Sequence, residues 1–366
     1  MNLELSDEQI ALRDTVRRFL AEKASIAEHV RPMLEDPTGT TETVWRGLAG
    51  LGTTGLLVPP EYGGAGMTMV EAGIVLEELD AGLHPGPWLS TAVAATRALT
   101  RIGVDSTTAA TLFSGIADGS TIATVSPLDG ARPTAVEQGD GSVLRGTIDN
   151  VWDVAAADVL LVLADEQHSS GLFAIETSTD GIEVTPQTGI DQNRKRFRVT
   201  LDNTPAQRLA TAVPDAIDAL IDDVVIAWAA DALGAARAVL HLAVEYAKVR
   251  QQFGQPIGAF QAVQHLCVDM YETVELARSG VIHALWAADA ADHDARHSAA
   301  LRAKAFSGLL ATVADNAIQV FGGIGYTWEH DAHLYLKRLL SWNAFLGGPD
   351  RYLVDVGAQF VQSVLH

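Results

Sequence analysis

The stretch RQQFGQPIGAFQAVQH, residues 250–265, contains residue types that can hold a phosphorylated ring compound. Arg250 ends a long apolar-periodic segment, and a glycine-containing turn separates it from the next helical pattern. An arginine there can form paired hydrogen bonds to a phosphate, with backbone N–H groups of the turn nearby. Phe253 offers a flat apolar surface, and Gln261 can contact the edge of a heterocycle. The alternative is an ordinary helix hairpin with a solvated arginine.

A second segment, QVFGGIGYT at residues 319–327, is rich in glycine. Gly322, Gly323 and Gly325 allow the backbone to pass close to a ligand, and Gln319 precedes them by one helical turn. The alternative is the end of a helix, because glycine is also the commonest helix-terminating residue.

Two other groups of residues are weaker candidates. His330 and His333 could suggest a metal, but no acidic third ligand has a suitable spacing, so we expect no metal site. The basic run QNRKRFR at 192–198 could meet a phosphate or a partner subunit, and a solvated strand end is the alternative.

Three regions must position these residues. Residues 1–118 read as helices, and Ser6 followed by Gln9 predicts a capping box at the first of them. Residues 119–210 contain short β-branched runs separated by Gly, Asp and Asn, which predicts a sandwich or barrel. Residues 211–366 return to long apolar-periodic segments, typical of a four-helix bundle. The predicted fold class is therefore α+β.

Composition excludes several functions. The net charge of −21 disfavours binding to nucleic acid or to an anionic membrane. The single cysteine, Cys267, excludes an intrachain disulfide. We find no transmembrane segment and no targeting signal in the N-terminal residues, so we expect a cytoplasmic protein.

Taken together, the RxxFGxxIGxFQxxQH and QxxGGxGY segments resemble the acyl-CoA dehydrogenase family. LSDEQIALRDTVRRFLAE is similar to the opening helix of that family, and LLVPPEYGGAGM is similar to its loop between N-terminal helices. The order of helical, β and helical regions also matches, so the resemblance covers nearly the whole chain.

The resemblance implies FAD bound between the β domain and the bundle. Arg250 matches the arginine that binds the FAD pyrophosphate of a neighbouring subunit, with Phe253 and Gln261 near the adenine and ribitol. Gln319, Gly322 and Gly323 match the segment beside the adenosine diphosphate. Shared FAD sites imply a homo-oligomer or a complex with a homologous subunit.

The implied reaction is α,β-dehydrogenation of an acyl-CoA thioester. A carboxylate removes the α-proton, and the β-hydride goes to the flavin. The base needs a pocket dry enough to raise its pKa.

The usual base is a glutamate in a YEG-type segment after GGxGY. Counted without gaps from Asp331, that position falls at Arg338 or Leu339, and neither can act as a base. Some family members carry the base on the first long bundle helix. There the apolar neighbours of Asp231 favour it as the base, and Asp223 is the second candidate. A salt-bridged or hydrogen-bonded aspartate is the alternative for Asp231.

The β domain also departs from the family pattern. Where relatives carry WITN, this chain has VWDVAAAD. Trp152 keeps the ring expected beside the isoalloxazine, although an ordinary strand tryptophan is the alternative. The threonine that bonds the flavin is replaced by Val154.

These departures leave two versions of the function open. The chain is either a self-sufficient dehydrogenase of fatty-acid or steroid side-chain oxidation, or an FAD-contacting or non-catalytic subunit of an α2β2 heterotetramer. A flavin oxidase of the same fold is a further alternative.

Overall fold

The chain divides into two compact units. The computed structural model describes residues 4–104, 107–138 and 141–365. The first unit, here called the bundle unit, comprises Met1–Ile26, Gly73–His84 and Val225–His366. The second, here called the barrel unit, comprises Ala27–Ala72 and Pro85–Val224. Each unit therefore combines segments that are far apart in the sequence.

Helices form both ends of the chain, as the apolar periodicity predicts. Within the described residues they are α1 (Asp7–Lys23), α2 (Glu42–Gly50), α3 (Met69–Ala81), α4 (Thr96–Ile102), α5 (Thr107–Asp118), α6 (Pro214–Val249), α7 (Gln261–Ala290), α8 (His293–Ser307), α9 (Leu310–Phe321), α10 (Ala332–Ala344) and α11 (Pro349–Leu365). The predicted capping box at the start of α1 is confirmed. The Ser6 hydroxyl accepts from the Gln9 N–H, and the Gln9 side chain accepts from the Ser6 N–H.

The middle of the chain forms a sheet that closes on itself. Its strands in the described residues are β1 (Ala123–Ser126), β2 (Thr134–Gln138), β3 (Gly141–Trp152), β4 (Val159–Asp165), β5 (Ser170–Glu176), β6 (Ile182–Gln187) and β7 (Arg196–Thr211). β4 pairs with β5, β5 with β7, β7 with β3 and β3 with β2, and one residue pair joins β2 back to β4. β1 and β6 extend this ring through β4 and β7. The predicted β domain is thus a barrel.

Alternating apolar residues fill the barrel. Leu144 and Ile148 of β3, Phe173 of β5 and Val199 of β7 belong to one buried cluster and are at most 1% exposed. Because side chains alternate between the two faces of a strand, this set points inward, while Thr147 and Asp149 beside Ile148 and Arg198 beside Val199 are exposed. Burial of these side chains holds the barrel closed.

The bundle unit is built on α6 and the helices that follow it. α3 approaches α6 closely at Gly234, where an added Cβ would lie 2.0 Å from the Glu77 carbonyl oxygen. Only glycine allows this distance between the two helix backbones. The approach brings the acidic end of α3 against the middle of α6.

Two further features complete the architecture. A π-helical segment, Leu89–Ala95, precedes α4 in the barrel unit, and all seven of its residues are buried. Among the described residues, none of the helices has the length and apolar character required to cross a membrane. The α+β class, with a barrel between helical regions, agrees with the prediction.

Candidate functional site

A tight hairpin carries Phe253 away from the end of α6. It consists of the two-residue strands β8 (Gln251–Gln252) and β9 (Gln255–Pro256). Phe253 and Gly254 at its tip have φ values of 52° and 81°, which is the backbone of a type I′ turn. The Phe253 side chain is 91% exposed. Its ring is therefore available to a ligand or to another chain.

Arg250 lies at the junction between α6 and this hairpin. Its N–H donates to the Tyr246 carbonyl at 2.9 Å, and its own carbonyl accepts from the Ile257 N–H at 2.8 Å. The backbone is thus fixed on both sides while the side chain is exposed. Gln261, the first residue of α7, is also exposed. Both side chains can reach a ligand at this end of the bundle unit.

The glycine segment follows α9 directly. Gly322 has φ 65° and ψ −144°, a conformation that suits glycine alone. A Cβ added to Gly322 or Gly323 would meet no atom within 4 Å. Gln319, one turn earlier, is exposed. The backbone here is open on the side where a ligand would approach.

The two predicted nucleotide segments meet in the bundle unit. The rings of Tyr246 on α6 and Phe321 on α9 are 5.1 Å apart. Tyr246 lies one turn before Arg250, and Phe321 directly precedes Gly322, so the last turns of α6 and α9 are neighbours. A cation, an exposed ring, two exposed amides and an open glycine backbone fit the adenosine diphosphate part of FAD.

Trp152 lies in the barrel unit, at the end of β3. It pairs with Arg196 of β7, and the Arg196 guanidinium carbon is 5.6 Å from the centroid of the indole. The indole is partly exposed. One side of the ring is thus held by a cation, and the exposed part can contact a flat ligand.

Asp223 lies in the part of α6 that belongs to the barrel unit and is fully buried. Its carboxylate accepts from Arg101 at 2.7 Å and 3.1 Å, and Arg97 lies at 3.6 Å. Two guanidinium groups therefore compensate one carboxylate. This arrangement stabilises the link between α4 and α6 and leaves the carboxylate little freedom to act on a substrate.

Asp231 lies in the bundle-unit part of α6 and is 2% exposed. Arg338 of α10 lies 3.9 Å from its carboxylate and forms a close ion pair with Asp80 of α3. Burial lowers the pKa of Arg338 to about 9, so the guanidinium stays charged at neutral pH. The same guanidinium thus lies near two carboxylates, one on α3 and one on α6.

The structure also locates the segment where the usual family base would stand. Arg338 and Leu339 lie inside α10 and are buried, so the position counted from Asp331 falls within a helix. An aromatic–x–Gly triplet, as in the YEG-type segment, occurs instead at Phe345–Gly347 in the loop after α10. Its middle residue is Leu346, with φ 53°. This position again carries no carboxylate.

Sequence reasoning missed three of these features. The pairing of Arg338 with acids on two other helices was not predicted, nor was the position of Leu346. The third is a bond in the barrel unit between Ser90 and Asp153, next to Trp152. Among the described residues, no group of three or more His, Cys, Asp or Glu side chains could hold a metal ion.

Two family models match the chain. The model for the acyl-CoA dehydrogenase N-terminal domain matches residues 6–118, and the model for the acyl-CoA dehydrogenase C-terminal domain matches residues 222–361. The second match contains Asp231, Arg250 and the glycine segment. Asp223 also falls within it.

Two curated relatives and one solved structure extend the comparison. Acyl-CoA dehydrogenase FadE34 of Mycobacterium tuberculosis is 37% identical over 97% of this chain, and the chain spans about half, 48%, of its length. Acyl-CoA dehydrogenase IpdE2 of Mycolicibacterium smegmatis is 33% identical, with 97% of this chain and 99% of the relative covered. A chain of the ChsE4-ChsE5 complex from Mycobacterium tuberculosis is 26% identical, with a TM-score of 0.88 and 99% of both chains covered.

Proposed function

Because the chain belongs to the acyl-CoA dehydrogenase family, we propose that it catalyses the FAD-dependent α,β-dehydrogenation of an acyl-CoA thioester. The observation that carries this proposal is the surface formed by the ends of α6 and α9. There Arg250, Phe253 and the open Gly322–Gly323 backbone lie in one unit, with side chains and backbone accessible.

Each of these residues has a role in holding the cofactor. Arg250 would bind the pyrophosphate through its guanidinium, and Phe253 would cover a ring. Gln261 and Gln319 would donate hydrogen bonds to the nucleotide. Gly322 and Gly323 would let the backbone approach the ligand without a side chain between them.

In the barrel unit, Trp152 would lie against the isoalloxazine. When bound, FAD supplies the acceptor for the hydride that leaves the β-carbon of the substrate. The protein must then supply a base for the α-proton, and that proton must pass to a carboxylate of this chain or of a partner.

Within this chain, Asp231 is the proposed base. Asp231 is 2% exposed, and the Arg338 guanidinium that lies 3.9 Å from it also forms an ion pair with Asp80. A buried carboxylate at that distance from a guanidinium can take up a proton more readily than one that accepts hydrogen bonds from it. Asp223, the second candidate, is held by Arg101 and Arg97 and is therefore the weaker choice.

A second candidate function rests on Leu346. The Phe345–Gly347 triplet holds an apolar residue where the family's YEG-type segment holds glutamate. A heteromer in which a homologous subunit supplies the base would remove the need for a carboxylate here. The similarity to a chain of the ChsE4-ChsE5 complex supports this alternative. In either case we propose an oligomer, and a cytoplasmic location because acyl-CoA thioesters are intracellular metabolites.

The experiment uses the purified chain on its own. Its visible spectrum is recorded after addition of FAD, and short, long and steroid acyl-CoAs are then added without oxygen. Bleaching of the flavin band by one of them supports a self-sufficient dehydrogenase. A flavin band that no acyl-CoA bleaches favours the heteromer. In that case the experiment is repeated with a homologous subunit present, and the flavin band must then bleach. Absence of bleaching in both settings contradicts the proposed function.

A further inference from the structure

The backbone around Trp152 is irregular. The pairing of β3 with β7 shifts register between Ile148 and Val151, so the strand is bulged just before the tryptophan. Asn150 and Asp153, on either side of it, have φ values of 57° and 54°. Asn and Asp tolerate this left-handed conformation better than other side chains do. The bulge therefore changes the direction in which the side chains after it leave the strand, while Trp152 itself stays paired with Arg196.

Asp153 holds the backbone directly after Trp152 in place. Its N–H donates to the Lys195 carbonyl at 3.0 Å, and its carboxylate accepts a hydrogen bond from the Ser90 hydroxyl. Asp153 and Ser90 are each 4% exposed. A buried carboxylate is costly unless it is hydrogen-bonded. Val151 and Val154, two residues before and one after Asp153, are apolar and buried.

Ser90 is itself held rigidly. It belongs to the π-helical segment Leu89–Ala95, in which every residue is buried. Such segments occur often at functional sites because they redirect one side chain of a helix. The Ser90 hydroxyl thus ties the end of β3 to an element that cannot move independently of the core of the barrel unit.

The other side of the loop is held by the residues before β7. Lys195 is 8% exposed and donates from Nζ to the Met33 and Leu34 carbonyls, each at 2.8 Å. Arg196 covers the indole. A Cβ on Gly189 would lie 1.9 Å from the Arg196 guanidinium, so a larger residue there would displace the end of the arginine side chain. Trp152 is therefore fixed through its backbone by Asp153 and over one face by Arg196.

We propose that Asp153 is a positioning residue that, through its hydrogen bond with Ser90, fixes the Trp152 indole in the orientation required against the flavin. The inference rests on the proposed function, because the flavin contact of Trp152 is part of it. Asp153 does not contact the reacting atoms, and its effect passes entirely through the neighbouring tryptophan.

The first test needs no cofactor. Amide hydrogen exchange is measured at Asp153, Ala156 and Ala157 in the full chain. Ser90→Ala and Asp153→Ala are expected to speed exchange at these amides about tenfold, because both remove the tie that holds the loop closed. Asp153→Asn should restore slow exchange, because asparagine keeps an acceptor oxygen and tolerates the left-handed backbone.

A matched control lies one residue away on the same π-helical segment. Thr91 is buried, and its hydroxyl donates to the Ala123 carbonyl at 2.9 Å. Thr91→Val removes this hydrogen bond, and the one that the Thr91 hydroxyl accepts from the Ala123 N–H at 3.2 Å, without touching Asp153. It should leave exchange at the three amides unchanged, whatever it does to the thermal midpoint. Equal exchange in Ser90→Ala and Thr91→Val would overturn the proposal.

The second test uses the FAD-loaded chain. The flavin absorption maximum and reduction potential should shift in Ser90→Ala and Asp153→Ala and stay at the parent values in Asp153→Asn and Thr91→Val. Unshifted flavin properties in Ser90→Ala contradict this proposal alone. Failure of the parent chain to bind FAD contradicts the proposed function instead, and with it the flavin part of this inference.

Discussion

Two aspartates on the same helix, α6, have different arginine neighbours. Asp223, in the barrel unit, is held by Arg101 and Arg97. Asp231, in the bundle unit, shares the guanidinium of Arg338 with Asp80. Burial is nearly equal, at 0% and 2% exposure. Burial alone therefore does not distinguish the two carboxylates, whereas the arginine contacts differ: Asp223 accepts hydrogen bonds from Arg101, and Asp231 lies 3.9 Å from Arg338.

Removing the shared cation should have the largest effect. Arg338→Leu would remove the guanidinium that pairs with Asp80 and lies 3.9 Å from Asp231, and we expect a loss of about 3–5 kcal/mol in the free energy of unfolding. Chemical denaturation measures this loss. Addition of Asp80→Asn and Asp231→Asn to the variant should recover most of it. A loss below about 1 kcal/mol would mean that Arg338, Asp80 and Asp231 do not form a charged group in the folded chain.

Removing the carboxylate of Asp223 should lower the free energy of unfolding by less. Asp223→Asn leaves two arginines, but Arg101 has 20% of its side chain exposed and can be hydrated. We expect a loss of about 2 kcal/mol in the free energy of unfolding, as for other hydrogen bonds to charged groups. Asp215→Asn, at the exposed start of α6, is the control and should be near neutral. A larger loss for Asp223→Asn than for Arg338→Leu would reverse the comparison.

Lys304 of α8 is also buried, and its Nζ is hydrogen-bonded to backbone carbonyl groups instead of to a carboxylate. Its Nζ donates to the Trp342 carbonyl at 2.5 Å, and burial lowers its pKa to about 7. Between about pH 7 and about pH 10 the unfolded chain binds a proton that the folded chain does not, so stability should rise with pH. The rise should be absent from Lys304→Met.

Chemical denaturation across this pH range, with the exposed Lys248→Met as control, measures this rise. Lys248→Met should keep the pH dependence of the parent. A parent chain whose stability is flat or falls between about pH 7 and about pH 10, relative to Lys304→Met, would contradict the assignment of a depressed pKa to Lys304.

Local features of the fold could be predicted from the sequence. The capping box of Ser6 and Gln9 involves residues one turn apart, and the order of helices and strands follows from apolar periodicity. The glycine-containing turn after Arg250 could be predicted for the same reason. These features need only neighbouring residues, so no knowledge of the packing is required.

The charge networks could not be predicted in this way. Arg338 pairs with acids on α3 and α6, which lie far from it in the sequence. A signal was present, however: Leu334, Arg338 and Trp342 share one face of α10 at intervals of four residues, and all three are buried. A charged residue at a buried helical position requires a partner of opposite charge. The sequence does not say which helix supplies it.

The position of the family's usual base shows a related difficulty. Counting from Asp331 led into α10, because the length of that helix was not known. The aromatic–x–Gly triplet at Phe345–Gly347 becomes visible once α10 is seen to end at Ala344. The absence of a carboxylate in that triplet leaves the question of the base to α6 or to a partner subunit.

The most direct test of this account measures exchange of the substrate α-proton with deuterium from the solvent. The FAD-loaded chain, Asp231→Asn and Asp223→Asn are incubated with an acyl-CoA that bleaches the parent flavin. We predict that Asp231→Asn binds FAD but loses at least about a hundredfold in exchange rate, whereas Asp223→Asn retains exchange in proportion to its folded fraction. Exchange by Asp231→Asn at the parent rate would contradict the account, and loss in Asp223→Asn alone would place the base there instead.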